Sequence, residues 1–158
     1  MLNKIRLTLL ILTTIALLNT SSFAQSSVVD IDMDTINIVI QKQDGSTVEL
    51  SVKLATTELQ IRRGLMFVKE LDGYDGMLFD FGEDQLTNMW MKNTFIPLDM
   101  LFFTSDRKLA CIIENTVPHD ETLLNCCKPV RYVLEIGGGR ARKLGITTGD
   151  IFEYVVNQ

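Results

Sequence analysis

The sequence predicts a mostly β fold of α+β character, a compact single-domain barrel or sandwich of about eight short strands with two short helices. Two observations favour this class. Short apolar segments, several of them alternating apolar and polar residues, recur between Gly, Asp and Asn turn residues, whereas helical spacing is confined to two brief segments. The chain has 158 residues without repeats or low-complexity tracts, a length that suits one domain with a substantial core.

The first 24 residues have the features of a secretory signal peptide. Lys4 and Arg6 give a basic start, residues 7–18 are apolar apart from three threonines, and 22–24 supply small residues at the positions that signal peptidase reads. The apolar segment has about 12 residues, whereas a bilayer-spanning helix needs roughly 20, which disfavours a retained membrane anchor. We therefore expect cleavage after Ala24 and export to the periplasm or the extracellular space.

Residues 25–35 show no periodicity and are predicted to form a flexible leader ahead of a single domain over 36–158. Removal of 1–24 takes away two of the 15 basic side chains and none of the 20 acidic ones, which changes the net charge from -5 to -7. A negatively charged surface repels phosphate backbones, so no nucleic-acid partner is expected.

Alternation and composition define the strands. The first two alternate and are joined by Asp44-Gly45, a dipeptide typical of hairpin turns. The third is apolar apart from Asp80, as expected for a strand buried on both faces. The predicted strands are 36–41, 48–54, 77–81, one within 88–97, 98–103, 109–113, 130–136 and 151–156.

Two short segments have helical features. Thr57 and Gln60 have the spacing of a capping box, and Gly64 is placed to end the helix that they begin. The second helix is predicted over 140–144. The three glycines at 137–139 indicate a strand-to-helix turn, because the Lys-Ser/Thr ending of a phosphate-binding loop is missing after them.

Three cysteines, Cys111, Cys126 and Cys127, follow the signal segment. An odd number leaves at least one thiol unpaired within the chain. Neighbouring cysteines bond each other only through a strained ring, which favours a bridge from Cys111 to one of the pair, although Cys111 in its apolar segment could also be a buried thiol. The only histidine, His119, lies too close along the chain to Cys126 and Cys127 to surround a metal ion, so neither a metal nor a cofactor is expected.

Residues 88–100 form the candidate site. They contain the only tryptophan, Trp90, and place Lys92, Asn93 and a threonine between apolar neighbours. Polar groups buried without partners cost about 1 to 3 kcal/mol each, so these must face water or find partners. On a strand, Trp90 and Lys92 would share one side and could hold a small polar or anionic ligand, while Asp99 would be aimed by the nearby proline. Alternatively, Lys92 pairs with Asp99 or Glu135 and only ties strands together.

Six segments in one order resemble the domain-of-unknown-function 192 family. They are Arg63-Gly64-Leu65-Met66, Gly76-Met77-Leu78-Phe79, Trp90-Met91-Lys92-Asn93-Thr94, Ile96-Pro97-Leu98-Asp99-Met100, Arg131-Tyr132-Val133-Leu134-Glu135, and Leu144-Gly145-Ile146 with Gly149-Asp150. The resemblance spans nearly the whole chain after the leader. It implies a small, mostly β domain that is frequently exported in bacteria, and it implies no particular reaction.

Three functions are compatible with these residues. The first is an exported binding or accessory module that contacts a small polar ligand or a cell-envelope partner. The second is a hydrolase or transferase with Asp99 or Glu135 as base and Lys92 as electrostatic stabiliser. The third is a structural scaffold without a ligand. The candidate ligand-binding residues are Trp90, Lys92, Asn93, Asp99, Arg63, Glu114, Arg131 and Glu135.

Overall fold

Seven strands and two short helices make up the part of the chain that the computed structural model describes, residues 31–155. The predicted signal peptide and most of the predicted leader lie outside these residues. In chain order the elements are β1 (Thr35–Gln41), β2 (Thr47–Ala55), α1 (Glu58–Arg63), β3 (Gly76–Gln85), β4 (Leu98–Phe103), β5 (Leu109–Ile113), β6 (Val130–Gly137), α2 (Arg140–Leu144) and β7 (Ile151–Tyr154). The predicted fold class, mostly β with two short helices, is confirmed.

The strands of 31–155 form one sheet in the order β5-β4-β6-β3-β2-β1-β7. Neighbouring strands are antiparallel except β2 and β3, which are parallel. The sheet curls until its two edge strands meet at one point, where the backbone N–H of Leu109 donates to the carbonyl of Asp150 over 2.8 Å. Lys108 and Ile151 form a single bridge beside this contact. The architecture is a curled half-barrel whose two edge strands touch at this end.

Local sequence accounts for the turn and the helix that open the domain. In the β1–β2 hairpin the Asp44 carboxylate accepts from the backbone N–H of Ser46 over 2.8 Å, and Gly45 adopts a φ of 83°. The capping box is present at α1, because the Gln60 N–H donates to the Thr57 hydroxyl while the Gln60 side chain accepts from the Thr57 N–H.

The segment 88–97 does not form the strand that its apolar residues predict. Met89 pairs with Leu124 in an isolated bridge, after which the chain turns and the Thr94 N–H donates to the Met91 carbonyl over 3.1 Å. Asn93 takes a φ of 55° in this turn, and asparagine is among the residue types that tolerate left-handed backbone best. The turn keeps Met91 buried and leaves the polar side chains at the edge of the core.

Two apolar clusters cover opposite faces of the sheet. One packs against α2, and the other, the α1-side cluster, packs beneath α1 and the loops that follow it. Strand β6 supplies both, because alternate side chains of a strand point to opposite faces: Leu134 and Ile136 enter the first cluster and Val133 the second. Glu135 shares the face of Val133. A carboxyl group is therefore placed against the α1-side cluster.

Candidate functional site

A small cavity lies where α1, β3, β6 and the turn at 89–94 meet. Its volume is about 30 Å³, which is room for about two water molecules. Charged and polar residues from three separate parts of the chain share its wall with apolar ones. The polar lining residues are Arg62, Arg63, Lys92, Thr94 and Glu135, and the apolar ones are Ile61, Leu65, Met66, Phe79, Met89 and Trp90.

Glu135 is the most unusual residue of this cavity. The residue is 4% exposed, and its carboxyl group takes part in no ion pair or side-chain hydrogen bond among residues 31–155. No fully buried side-chain oxygen of these residues lacks a partner, so the carboxyl oxygens are open to the cavity. Its neighbours across the sheet are Met77 on β3 and Met100 on β4. Burial among such residues penalises the charged form and raises the pKa of Glu135 to about 8. Burial therefore favours the protonated carboxyl group, which can donate a hydrogen bond.

Glycine at position 76 allows β3 to approach β6 beside this carboxyl group. A Cβ atom at Gly76 would overlap the backbone carbonyl oxygen of Glu135 and press on Ile136. Any side chain at position 76 would therefore push β3 and β6 apart next to Glu135.

Two cations border the cavity without neutralising Glu135. Arg63 ends α1, and its guanidinium lies 4.7 Å from the centroid of the Phe67 ring. The Lys92 ammonium lies 5.2 Å from the centroid of the Trp90 ring and 3.7 Å from the Glu121 carboxylate. Lys92 thus pairs with neither of the two carboxylates proposed from the sequence. Since this contact with Glu121 is exposed, it stabilises little and leaves the ammonium available to a ligand.

Trp90 and Asn93 have different roles in the turn. Trp90 lines the cavity and is 39% exposed, so its indole lies at the boundary with solvent. Asn93 does not line the cavity, but its backbone carbonyl accepts from the Phe67 N–H over 2.8 Å and links the turn to the residues after α1. Trp90 and Lys92 both line the cavity. A turn places them there, whereas the sequence predicted a strand.

Asp99 is a structural residue separate from the cavity. Its carboxylate is fully buried and accepts three backbone N–H groups, from Asn115 at 2.7 Å and from Gly139 and Ala141 at 2.8 Å each. These bonds join the start of β4 to the first turn of α2 and to the end of β5. With its lone pairs so occupied, Asp99 is not placed to act with Lys92 as a base.

The other two candidates also lie away from the cavity. Arg131 on β6 donates two hydrogen bonds, of 2.8 and 3.0 Å, to the carboxylate of Asp80 on β3. Glu114 pairs with Arg142 of α2. Of the eight candidate residues, the structure therefore brings Arg63, Trp90, Lys92 and Glu135 together.

Sequence reasoning missed several residues around the cavity. Met66 and Met89 line it, and Phe67 packs beneath Arg63. Met66 belongs to the segment 63–66, which follows the end of α1 and was recognised from the sequence. An apolar residue in such a segment is expected in the core, and the fold shows that Met66 lines the cavity instead.

A disulfide supports the loop behind the turn. It joins Cys111 on β5 to Cys126, and Cys127 is a free, exposed thiol. In the same loop the backbones of Met89 and Leu124 exchange two hydrogen bonds, of 2.8 and 2.9 Å. The loop is therefore hydrogen-bonded to the segment that carries Trp90 and holds it in place. Within 31–155 no group of three or more His, Cys, Asp or Glu side chains is arranged to hold a metal ion.

The fold and the cavity define a small β-domain protein with a partly enclosed polar site. The chain belongs to the DUF192 family, described as "Uncharacterized ACR", whose model matches residues 39–154. Comparison with curated proteins found no match. In the described residues, no helix has the length and apolar character that crossing a membrane requires.

Two solved structures are similar to this chain. One, from Sinorhizobium meliloti 1021, is described as a proposed transcription regulator; it has 41% sequence identity and a TM-score of 0.76, and the match covers 79% of this chain and 97% of that one. The other, from Novosphingobium aromaticivorans DSM 12444, is a protein of unknown function with 38% identity and a TM-score of 0.72, over 77% of this chain and 86% of that one. Both share the fold of this chain over most of its length.

Proposed function

We propose that this protein is a binding module that takes the carboxylate group of a small ligand into the cavity between Arg63, Lys92 and Glu135. The observation that carries the proposal is the carboxyl group of Glu135, which has no partner among the described residues and opens onto a cavity lined by two cations. A carboxyl group in so small a cavity takes its hydrogen bonds from water or from a ligand.

The charge of the site favours an anion. Burial favours the neutral form of Glu135, and Arg63 and Lys92 line the cavity on a chain whose net charge is negative. The neutral carboxyl group donates one hydrogen bond, and the cations supply charge-assisted ones. Arg62, the remaining charged residue of the wall, is exposed and pairs with Glu58 at 3.4 Å.

The size of the cavity limits what enters it. A volume of about 30 Å³ accepts two oxygen-sized atoms and excludes a whole sugar or nucleotide. A carboxylate presents two such atoms, while the remainder of the ligand would lie outside the cavity. A cell-envelope partner would have to present the same group.

We further propose that the protein works outside the cytoplasm. The secretory pattern of residues 1–24 supports this, and so does a disulfide in a protein with no redox motif around it. Transcription regulation, the description of the S. meliloti relative, is not extended to this chain, because its acidic surface disfavours contact with DNA.

A binding titration with acetate tests the proposal. We expect chemical shifts of cavity residues to respond in the millimolar range, and the affinity to fall about tenfold in Arg63→Ala and in Lys92→Ala, because each removes a charge-assisted hydrogen bond. Glu135→Gln retains a donor and should bind, whereas Glu135→Leu should not. The exposed Arg142, which lies on α2, provides the matched control: Arg142→Ala should bind as wild type. No response to acetate, or equal binding by the Arg63 and Arg142 variants, would refute the proposal.

A second candidate is a hydrolase or transferase in which Glu135 acts as a general acid. The observation that favours it is the pKa of about 8, which keeps a proton available near neutral pH. A screen of activated esters and phosphoesters tests it: turnover by wild type that is lost in Glu135→Gln would support catalysis, since glutamine holds a ligand but donates no proton to a leaving group.

A further inference from the structure

Three exposed aromatic residues lie together beside the cavity. The rings of Phe67 and Phe95 are 6.1 Å apart in an edge-to-face arrangement, and the Phe95 and His119 rings are 5.1 Å apart. Phe67 is 50% exposed and Phe95 40% exposed. We call Phe67, Phe95 and His119 the aromatic surface. They come from three separate chain segments, so their proximity is a product of the fold.

The aromatic surface is continuous with the mouth of the cavity. Arg63, which lines the cavity, lies over the Phe67 ring at 4.7 Å. Thr94 also lines the cavity, and Phe95 follows it in the chain. A ligand whose carboxylate lies between the two cations would thus have an aromatic surface next to the part that remains outside.

The backbone holds two of these rings, those of Phe67 and His119, outward at a cost. Phe67 and His119 have φ values of 67° and 64°, and left-handed backbone in residues other than glycine costs on the order of 1 to 3 kcal/mol each. The Phe67 N–H donates to the Asn93 carbonyl over 2.8 Å, and the His119 N–H donates to the Thr94 carbonyl over 3.2 Å. Bulky phenylalanine is among the residues least suited to this conformation. Exposed rings kept in such a backbone contribute little to the core, which points to a role in binding.

We propose that the ligand is a small arylcarboxylate, whose carboxylate enters the cavity while its aromatic ring packs on Phe67 and Phe95. This inference rests on the proposed function and specifies the ligand class of that same site. Aromatic pairs in edge-to-face or offset geometry contribute beyond their buried area, and a planar ligand ring can use both rings of the aromatic surface. The positive border formed by Arg63 and Lys92 complements the charge of the ligand.

The ratio of the dissociation constants of acetate and phenylacetate tests this. We expect wild type to bind phenylacetate about tenfold more tightly than acetate. Phe67→Gly and Phe95→Ala should each reduce this ratio several-fold, because each removes a ring on which the phenyl group packs, and the ratio corrects for any change in acetate affinity. Glycine at position 67 suits the positive φ, so that variant should fold at least as stably as wild type. Leu86→Ala is the matched control, because Leu86 is an exposed apolar residue away from the cavity, and it should keep the ratio.

The outcomes separate the two proposals. Failure of acetate to bind would overturn the proposed function. Binding of acetate with a ratio near one, or a ratio that survives Phe67→Gly combined with Phe95→Ala, would overturn the aromatic ligand alone. If a tripeptide ending in phenylalanine bound more than tenfold tighter than phenylacetate, the small ligand would be replaced by the carboxyl terminus of a polypeptide.

Discussion

Replacing Asp99 by alanine should lower the free energy of unfolding by about 4 kcal/mol, because three buried backbone N–H groups would lose their acceptor at once. Those groups belong to Asn115, Gly139 and Ala141. The loss would detach the first turn of α2 from β4. Urea denaturation followed by circular dichroism measures the change, which should appear as a lower midpoint with a similar slope.

Asp72→Ala is the control for this variant. Asp72 is an exposed acidic residue in the loop before β3, and its removal should change the free energy of unfolding by less than about 0.5 kcal/mol. If Asp99→Ala were as mild as Asp72→Ala, the carboxylate would not be the tie between β4 and α2 that the geometry indicates.

Replacing Glu135 by glutamine should remove a large pH dependence of stability. A folded-state pKa raised from 4.5 to about 8 means that, between these pH values, the folded protein holds a proton that the unfolded chain has released. Wild type should therefore lose stability as the pH rises through this range, by about 5 kcal/mol in total, and change little from this group below or above it. Glu135→Gln has no proton to release and should lack this decline.

Unfolding free energies measured from pH 4 to pH 9 for wild type and Glu135→Gln provide the comparison. Glu49→Gln is the control, since Glu49 is an exposed glutamate on β2, and it should follow the wild-type curve. Parallel curves for wild type and Glu135→Gln would show that Glu135 ionises as freely in the folded protein as in the unfolded chain.

The sequence predicted correctly the elements whose structure depends on neighbouring residues. The hairpin at Asp44-Gly45 and the capping box of Thr57 and Gln60 are present because each depends on residues within a few positions of one another. The segment 88–97 differs because its conformation depends on distant partners. Its bridge to Leu124 is set by a loop more than 30 residues further along the chain, and no local pattern reports that contact.

The site could be predicted in part for the same reason. A polar residue in an apolar segment indicates either a buried network or a ligand site, and sequence does not distinguish them. Asp99 belongs to a buried network, since three backbone N–H groups donate to its carboxylate. Glu135 has no such partner among the described residues. The aromatic surface was not predicted at all, because Phe67, Phe95 and His119 meet only in the folded chain.

The most direct test of a carboxylate site built on a neutral Glu135 is an NMR titration of the Glu135 side-chain carboxyl carbon, with and without saturating acetate. We expect a midpoint near pH 8 in the free protein and a higher one with acetate, because an anion that binds beside the protonated group opposes its ionisation. A midpoint near the usual glutamate value, or one that acetate leaves unchanged or lowers, would contradict a neutral Glu135 that holds an anion.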